Sequence, residues 1–81
     1  MSVGIGKNAI VGTKQVLKAI EAGKLSHVYL AEDAEAFLRN KLIAACTEHG
    51  VEIRPIPTMQ ELGETCGIDV GAACAGVAIA E

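Results

Sequence analysis

Tryptophan is absent from this chain of 81 residues, and phenylalanine and tyrosine occur once each. A core without rings has to be assembled from Val, Ile, Leu and Ala. Cysteine is scarce too: Cys46, Cys66 and Cys74 are odd in number, and no two are spaced as CxxC. That excludes a disulfide framework and a structural zinc site, and it fits buried thiols in a reducing compartment. No apolar run approaches the roughly 20 residues that span a bilayer. The first eight residues, MSVGIGKN, hold neither an apolar signal core nor a cleavage pattern. The expectation is a soluble, cytoplasmic protein with one domain over residues 1–81. A chain of this length buries only about 60% of its unfolded surface.

Signatures of catalysis are also missing. His27 and His49 stand alone, and neither HExxH nor GxSxG occurs. GIGKNAIVGTK, residues 4–14, is not a phosphate loop, because Gly12 is followed by Thr13 and Lys14 in the wrong order. It is not a dinucleotide fingerprint either, since Ala9 stands where the last glycine belongs. Glu32, Asp33 and Glu35 cluster where a helix should start, a structural place for acids. A hard cation would demand more oxygen ligands than they supply. The expectation is a non-enzyme with no cofactor and no metal.

A positive balance is lacking as well: the formal net charge is −3. Its distribution is uneven. Residues 1–24 carry Lys7, Lys14, Lys18 and Lys24 against Glu21 alone, whereas residues 25–81 carry Arg39, Lys41 and Arg54 against nine acids. A local cationic face can therefore coexist with an acidic body that discourages indiscriminate phosphate binding.

What is present is a regular alternation of strand and helix signals. AIVG, residues 9–12, reads as a short strand, followed by a helix from about Thr13 to Ala22 with Val16, Leu17 and Ile20 on its apolar face. HVYLA, residues 27–31, reads as a strand covered on both faces. Asp33 is expected to cap a longer helix with Leu38, Leu42, Ala45 and Cys46 on one side and Gly50 past its end. VEIRPIP, residues 51–57, alternates until Pro55, which places it at a sheet edge. Thr58 and Glu61 have capping-box spacing before a short helix. GVAIA, residues 76–80, is the last strand. This order implies an α/β fold, a three-layer α/β/α sandwich on a four-stranded mixed sheet.

Two stretches admit a role beyond the fold. On a helical wheel Lys14, Gln15 and Lys18 lie opposite Val16, Leu17 and Ile20. Lys14 and Lys18 are like charges four apart near a helix start, where both the pairing and the macrodipole disfavour them. An anionic partner would remove both penalties, free backbone N–H groups there suit phosphate oxygens, and Gln15 can read a base edge. The alternative is an ordinary solvated helix face. The second stretch, ELGETCGIDVGAA at residues 61–73, sets Ile68 and Val70 among Gly63, Gly67 and Gly71. These two either fill the core beneath a loop or present an aliphatic surface to an unstacked base. Neither stretch contains an aromatic ring on which a base could stack.

Together, GTKQ followed by Lys18, and LGETCGIDV ahead of the final apolar run, resemble the kink-turn-binding ribosomal-protein family of the L7Ae and L30e type, in its small bacterial form. The likeness runs from AIVGTKQVLKAI through GKLSHVYLAEDA to MQELGETCGIDVGAACAGVAIA. It implies the same sandwich and an RNA-binding protein without catalysis, associated with the ribosome or with a structured regulatory RNA. The target it implies is a kink-turn, a sharply bent duplex with tandem sheared G·A pairs beside a bulge. Gly12, Thr13, Lys14, Gln15 and Lys18 would then contact bases and phosphates, and Ile68, Asp69 and Val70 would lie over the bulged nucleotides. Archaeal members typically carry Asn-Glu where this chain has Lys14-Gln15. The change removes an anion near RNA, adds a donor, and alters which base edges are favoured. Asp69 would accept from base amines or a sugar hydroxyl. The competing expectation is a protein-interaction module on the same fold without an RNA role.

Overall fold

The computed structural model describes residues 9–67 and 71–79. Its elements alternate as β1 (Ala9–Val11), α1 (Thr13–Glu21), β2 (Leu25–Ala31), α2 (Ala36–His49), β3 (Glu52–Ile56), α3 (Met59–Cys66) and β4 (Cys74–Ala78). The strands form one sheet in the order β1-β4-β2-β3. β4 is antiparallel to both β1 and β2, and β2 is parallel to β3. The sheet is therefore mixed, with β1, β2 and β3 pointing one way. The α/β fold expected from the sequence is the one observed.

Each of β1, β2 and β3 feeds directly into a helix, so α1, α2 and α3 all begin at the same end of the sheet. β4 runs the other way and starts at that end. The chain leaving α3 must accordingly return to where α3 began before β4 can form. Gly67 ends α3 with φ 79°, a left-handed conformation that costs other residues about 1 kcal/mol or more.

Two apolar clusters sandwich the sheet. On one face α1 and α2 pack together, and Val16, Ala19, Ile20, Leu42 and Cys46 meet Val28 and Leu30 of β2 and Cys74 of β4. On the other face Leu62 of α3 joins Ala31, Ala34, Ala72 and Ala75. Each fully buried Val, Leu or Ile contributes roughly 1.5–3 kcal/mol, which is how a chain almost without rings forms a core. Leu25 belongs to the first cluster although its spacing from Val28 is odd. The register explains this: Leu25 pairs Ala78 and His27 pairs Val77, leaving Ser26 as an extra residue in a β-bulge. Gly76 makes the inserted leucine possible, since a Cβ there would stand 2.6 Å from Leu25 Cδ1.

Three sequence expectations shift. β2 begins at Leu25 rather than residue 27, because the bulge hides the strand pattern in LSH. β4 spans 74–78 rather than 76–80, because Cys74 and Ala75 pair with β1 and β2 on arrival. Asp33 does not cap α2, whose N-cap is Glu35 without a side-chain bond. Its Oδ1 instead accepts from the backbone N–H of Met59 at 2.8 Å, the first residue of α3. The two helix starts are neighbours at one sheet end, and the turn at 32–34 aims the carboxylate across the gap. Thr58 does cap α3, with Oγ1 accepting from Glu61 N–H at 3.0 Å. Cys46 and Cys74 are buried and Cys66 is half-buried, all as free thiols.

No described helix is long and apolar enough to cross a membrane.

Candidate nucleic-acid interface

β1 gives way to α1 at Gly12, whose φ of 109° and ψ of 135° turn the chain sharply. Among the described residues a Cβ at Gly12 would meet nothing within 4 Å, so its outer side is open to them. Among the described residues no side chain caps α1, and no acid lies in its first turn. Val16 N–H is the first in the helix to bond back, to Gly12 O at 2.9 Å. Among the described residues no acid compensates the positive end of the helix dipole, which lies next to Lys14.

Lys14, Gln15 and Lys18 are exposed, as the helical wheel requires, while Val16 and Ile20 are buried. Gln15 and Lys18 line an open concavity of about 380 Å³ together with Ile10, Ala19, Ala22 and Lys24. Thr13 is half-buried, and its Oγ1 accepts a weak bond from the Cys74 thiol at 3.9 Å. Burial, the largest cause, pushes the Cys74 thiol up to about 11, against the lowering effect of Thr13. The contact is therefore between two neutral groups, and the Thr13 hydroxyl hydrogen remains available to a partner.

The exit of the α3–β4 connection is anchored at three points. Ala72 N–H donates to Met59 O at 3.0 Å, Ala31 N–H donates to Ala73 O at 2.9 Å, and Gly12 N–H donates to Cys74 O at 3.5 Å. Gly71 fits tightly as well, since a Cβ there would lie 3.2 Å from Met59 Cβ. The last of the three bonds ties the turn into α1 to the chain emerging from the glycine-rich connection. Of the expected site residues, Gly12, Thr13, Lys14, Gln15 and Lys18 are gathered on the first turns of α1. Ile68, Asp69 and Val70 lie outside the described residues.

Sequence reasoning had counted Lys24 among the N-terminal cations without placing it at the site. The structure sets it against Gln15 and Lys18 across the concavity. Its place beyond the helix-ending Gly23 broke the helical periodicity by which the other lysines were grouped. Among the described residues, no group of three or more His, Cys, Asp or Glu side chains is arranged to hold a metal ion.

Known proteins resemble this chain in sequence and in fold. An RNA-binding protein of Caldanaerobacter subterraneus subsp. tengcongensis is 51% identical over 72 residues, covering 89% of this chain and 88% of that protein. The large ribosomal subunit protein eL8 of Halobacterium salinarum is 39% identical over 72 residues, covering 85% of this chain and 58% of its own length. Among solved structures, a Giardia lamblia 15.5kD RNA binding protein superposes with a TM-score of 0.85 at 27% identity, over 91% of this chain and 62% of that one. With residues 5–81 matching its family model, the chain belongs to the ribosomal protein L7Ae/L30e/S12e/Gadd45 family.

Proposed function

We propose that this protein binds RNA through the tip of α1 and the α3–β4 connection, and that it recognises a kink-turn. The observation carrying the proposal is the bond from Gly12 N–H to Cys74 O. At 3.5 Å it sets the cationic start of α1 beside the end of the connection that holds Ile68, Asp69 and Val70. Several relatives in the family are named RNA-binding proteins, which supports the same partner here.

The physical case is one of shape. The major groove of regular A-form RNA is deep and narrow, closed to side chains. A kink at tandem sheared G·A pairs opens it enough to admit a helix tip. Gly12 carries no Cβ to hold the backbones apart. Lys14 and Lys18 meet phosphates or purine acceptors, and the amide of Gln15 both donates and accepts at a base edge. Uncapped N–H groups add donors for phosphate oxygens. Ile68 and Val70 offer aliphatic cover to bulged nucleotides in place of stacking rings. Binding thus stabilises a bent conformation through contacts that only the bent conformation permits. The protein acts by binding rather than by catalysis, in the cytoplasm, on ribosomal RNA or a structured regulatory RNA.

The Lys14→Ala/Lys18→Ala double variant tests the groove contact. Both side chains are exposed, so folding should be unaffected. Affinity for a kink-turn RNA should fall at least tenfold in a gel-shift titration, in line with two lost charge-assisted contacts at about 1 kcal/mol or more each. Native-like affinity in that variant would refute the contact.

A further inference from the structure

We propose that Lys24 extends the RNA-binding face past Lys18 and holds a backbone phosphate of the duplex arm that leaves the kink. The proposal rests on the kink-turn reading and adds a contact to it. Lys24 lies beyond the end of α1, yet it shares one open concavity with Gln15 and Lys18. The rest of its described lining is Ile10, Ala19 and Ala22, so among the described residues no acid lines the concavity. Among the described residues, no carboxylate pairs with Lys14, Lys18 or Lys24, whereas Arg54 is paired with Glu52.

The backbone under Lys24 is held from both sides. Its N–H donates to Ala19 O at 3.1 Å, and its carbonyl accepts from Ile79 N–H at 2.9 Å. The ammonium therefore swings from a fixed base. Two cations and an amide around a shallow, open hollow suit a polyanionic strand laid across the surface. A small free anion would need a closed pocket with converging donors. α1 is about 13 Å long at 1.5 Å per residue, so Lys14, Lys18 and Lys24 together track a strand running from the kink into the adjoining stem.

The experiment compares the native chain, Lys24→Ala and Lys41→Ala across a salt series. Lys41, on the exposed side of α2, controls for the loss of one positive charge. Two kink-turn RNAs are used, one with a full stem beyond the G·A pairs and one with that stem cut short, and a straight duplex of matched composition serves as the third ligand. Lys24→Ala should bind the full-stem RNA several-fold more weakly, with the slope of log affinity against log salt reduced by about 1. The deficit should vanish on the shortened RNA, and Lys41→Ala should behave as native. An unchanged slope for Lys24→Ala would overturn the proposal. So would a deficit of equal size on both RNAs, which would place Lys24 at the kink. If the native chain bound the straight duplex as well as the kink-turn, the functional reading itself would fail, an outcome read independently of either variant.

Discussion

Gly12 is the residue on which the proposed interface turns. Its φ and ψ lie close to a region that is essentially confined to glycine and costs other residues about 1–3 kcal/mol. Gly12→Ala should therefore destabilise the fold by about that amount in urea denaturation. It should weaken RNA binding further than that loss explains, because the new methyl projects into the open space where RNA would approach. His27 illustrates a residue effect away from the interface. It sits mid-strand on β2, edge-on to Tyr29 with ring centroids 5.2 Å apart, and its Nδ1 lies 3.1 Å from Ser26 Oγ. Burial first, then the Arg54 guanidinium, holds its pKa below the ordinary 6.5, with Glu52 opposing. The folded state thus takes up a proton less readily than the unfolded chain. Stability is full above about pH 6.5 and declines as pH falls from there through the folded value. His27→Gln should flatten that part of the stability profile in pH-dependent thermal melts.

Among the elements, α3 is the most dependent on its neighbours. It has eight residues, too few to be stable alone. Thr58 and Asp33 each satisfy one of its first N–H groups. Asp33→Ala should cost about 0.5–2 kcal/mol, measured by chemical denaturation, and hydrogen exchange should quicken first at Met59 and in the chain that returns over it. This tie also shows where the sequence was legible and where it was not. The alternation of helix and strand, the apolar stripe of Val16 and Ile20, and the Thr58 cap all rest on local spacing and could be read directly. The partner of Asp33 could not, because its carboxylate bonds 26 residues away. Local spacing favoured the nearer helix. The start of β2 was hidden for a similar reason: the bulge at Ser26 is fixed by pairing with β4, which lies more than 40 residues further along. Lys14, Gln15 and Lys18 were legible as a cationic face, but Lys24 joins them only through the folded surface.

At the scale of the whole molecule, the topology does most to assemble the proposed interface. Three parallel strands deliver three helix starts to one sheet end, and the antiparallel β4 brings the glycine-rich connection back to the same end. A net charge of −3 with lysines concentrated in the first 24 residues makes binding depend on where RNA docks. In the proposed complex the basic residues would supply only about 3 to 5 phosphate contacts, so affinity should fall with salt less steeply than for strongly basic proteins. Calorimetric titration at low ionic strength, with a kink-turn RNA set against a straight duplex of matched composition, addresses this directly. Tight, saturable binding to the kink-turn, with little heat from the duplex, is the predicted result. Equal binding to both, or none to either, would contradict the proposal that the α1 tip and the α3–β4 connection grip a bent RNA.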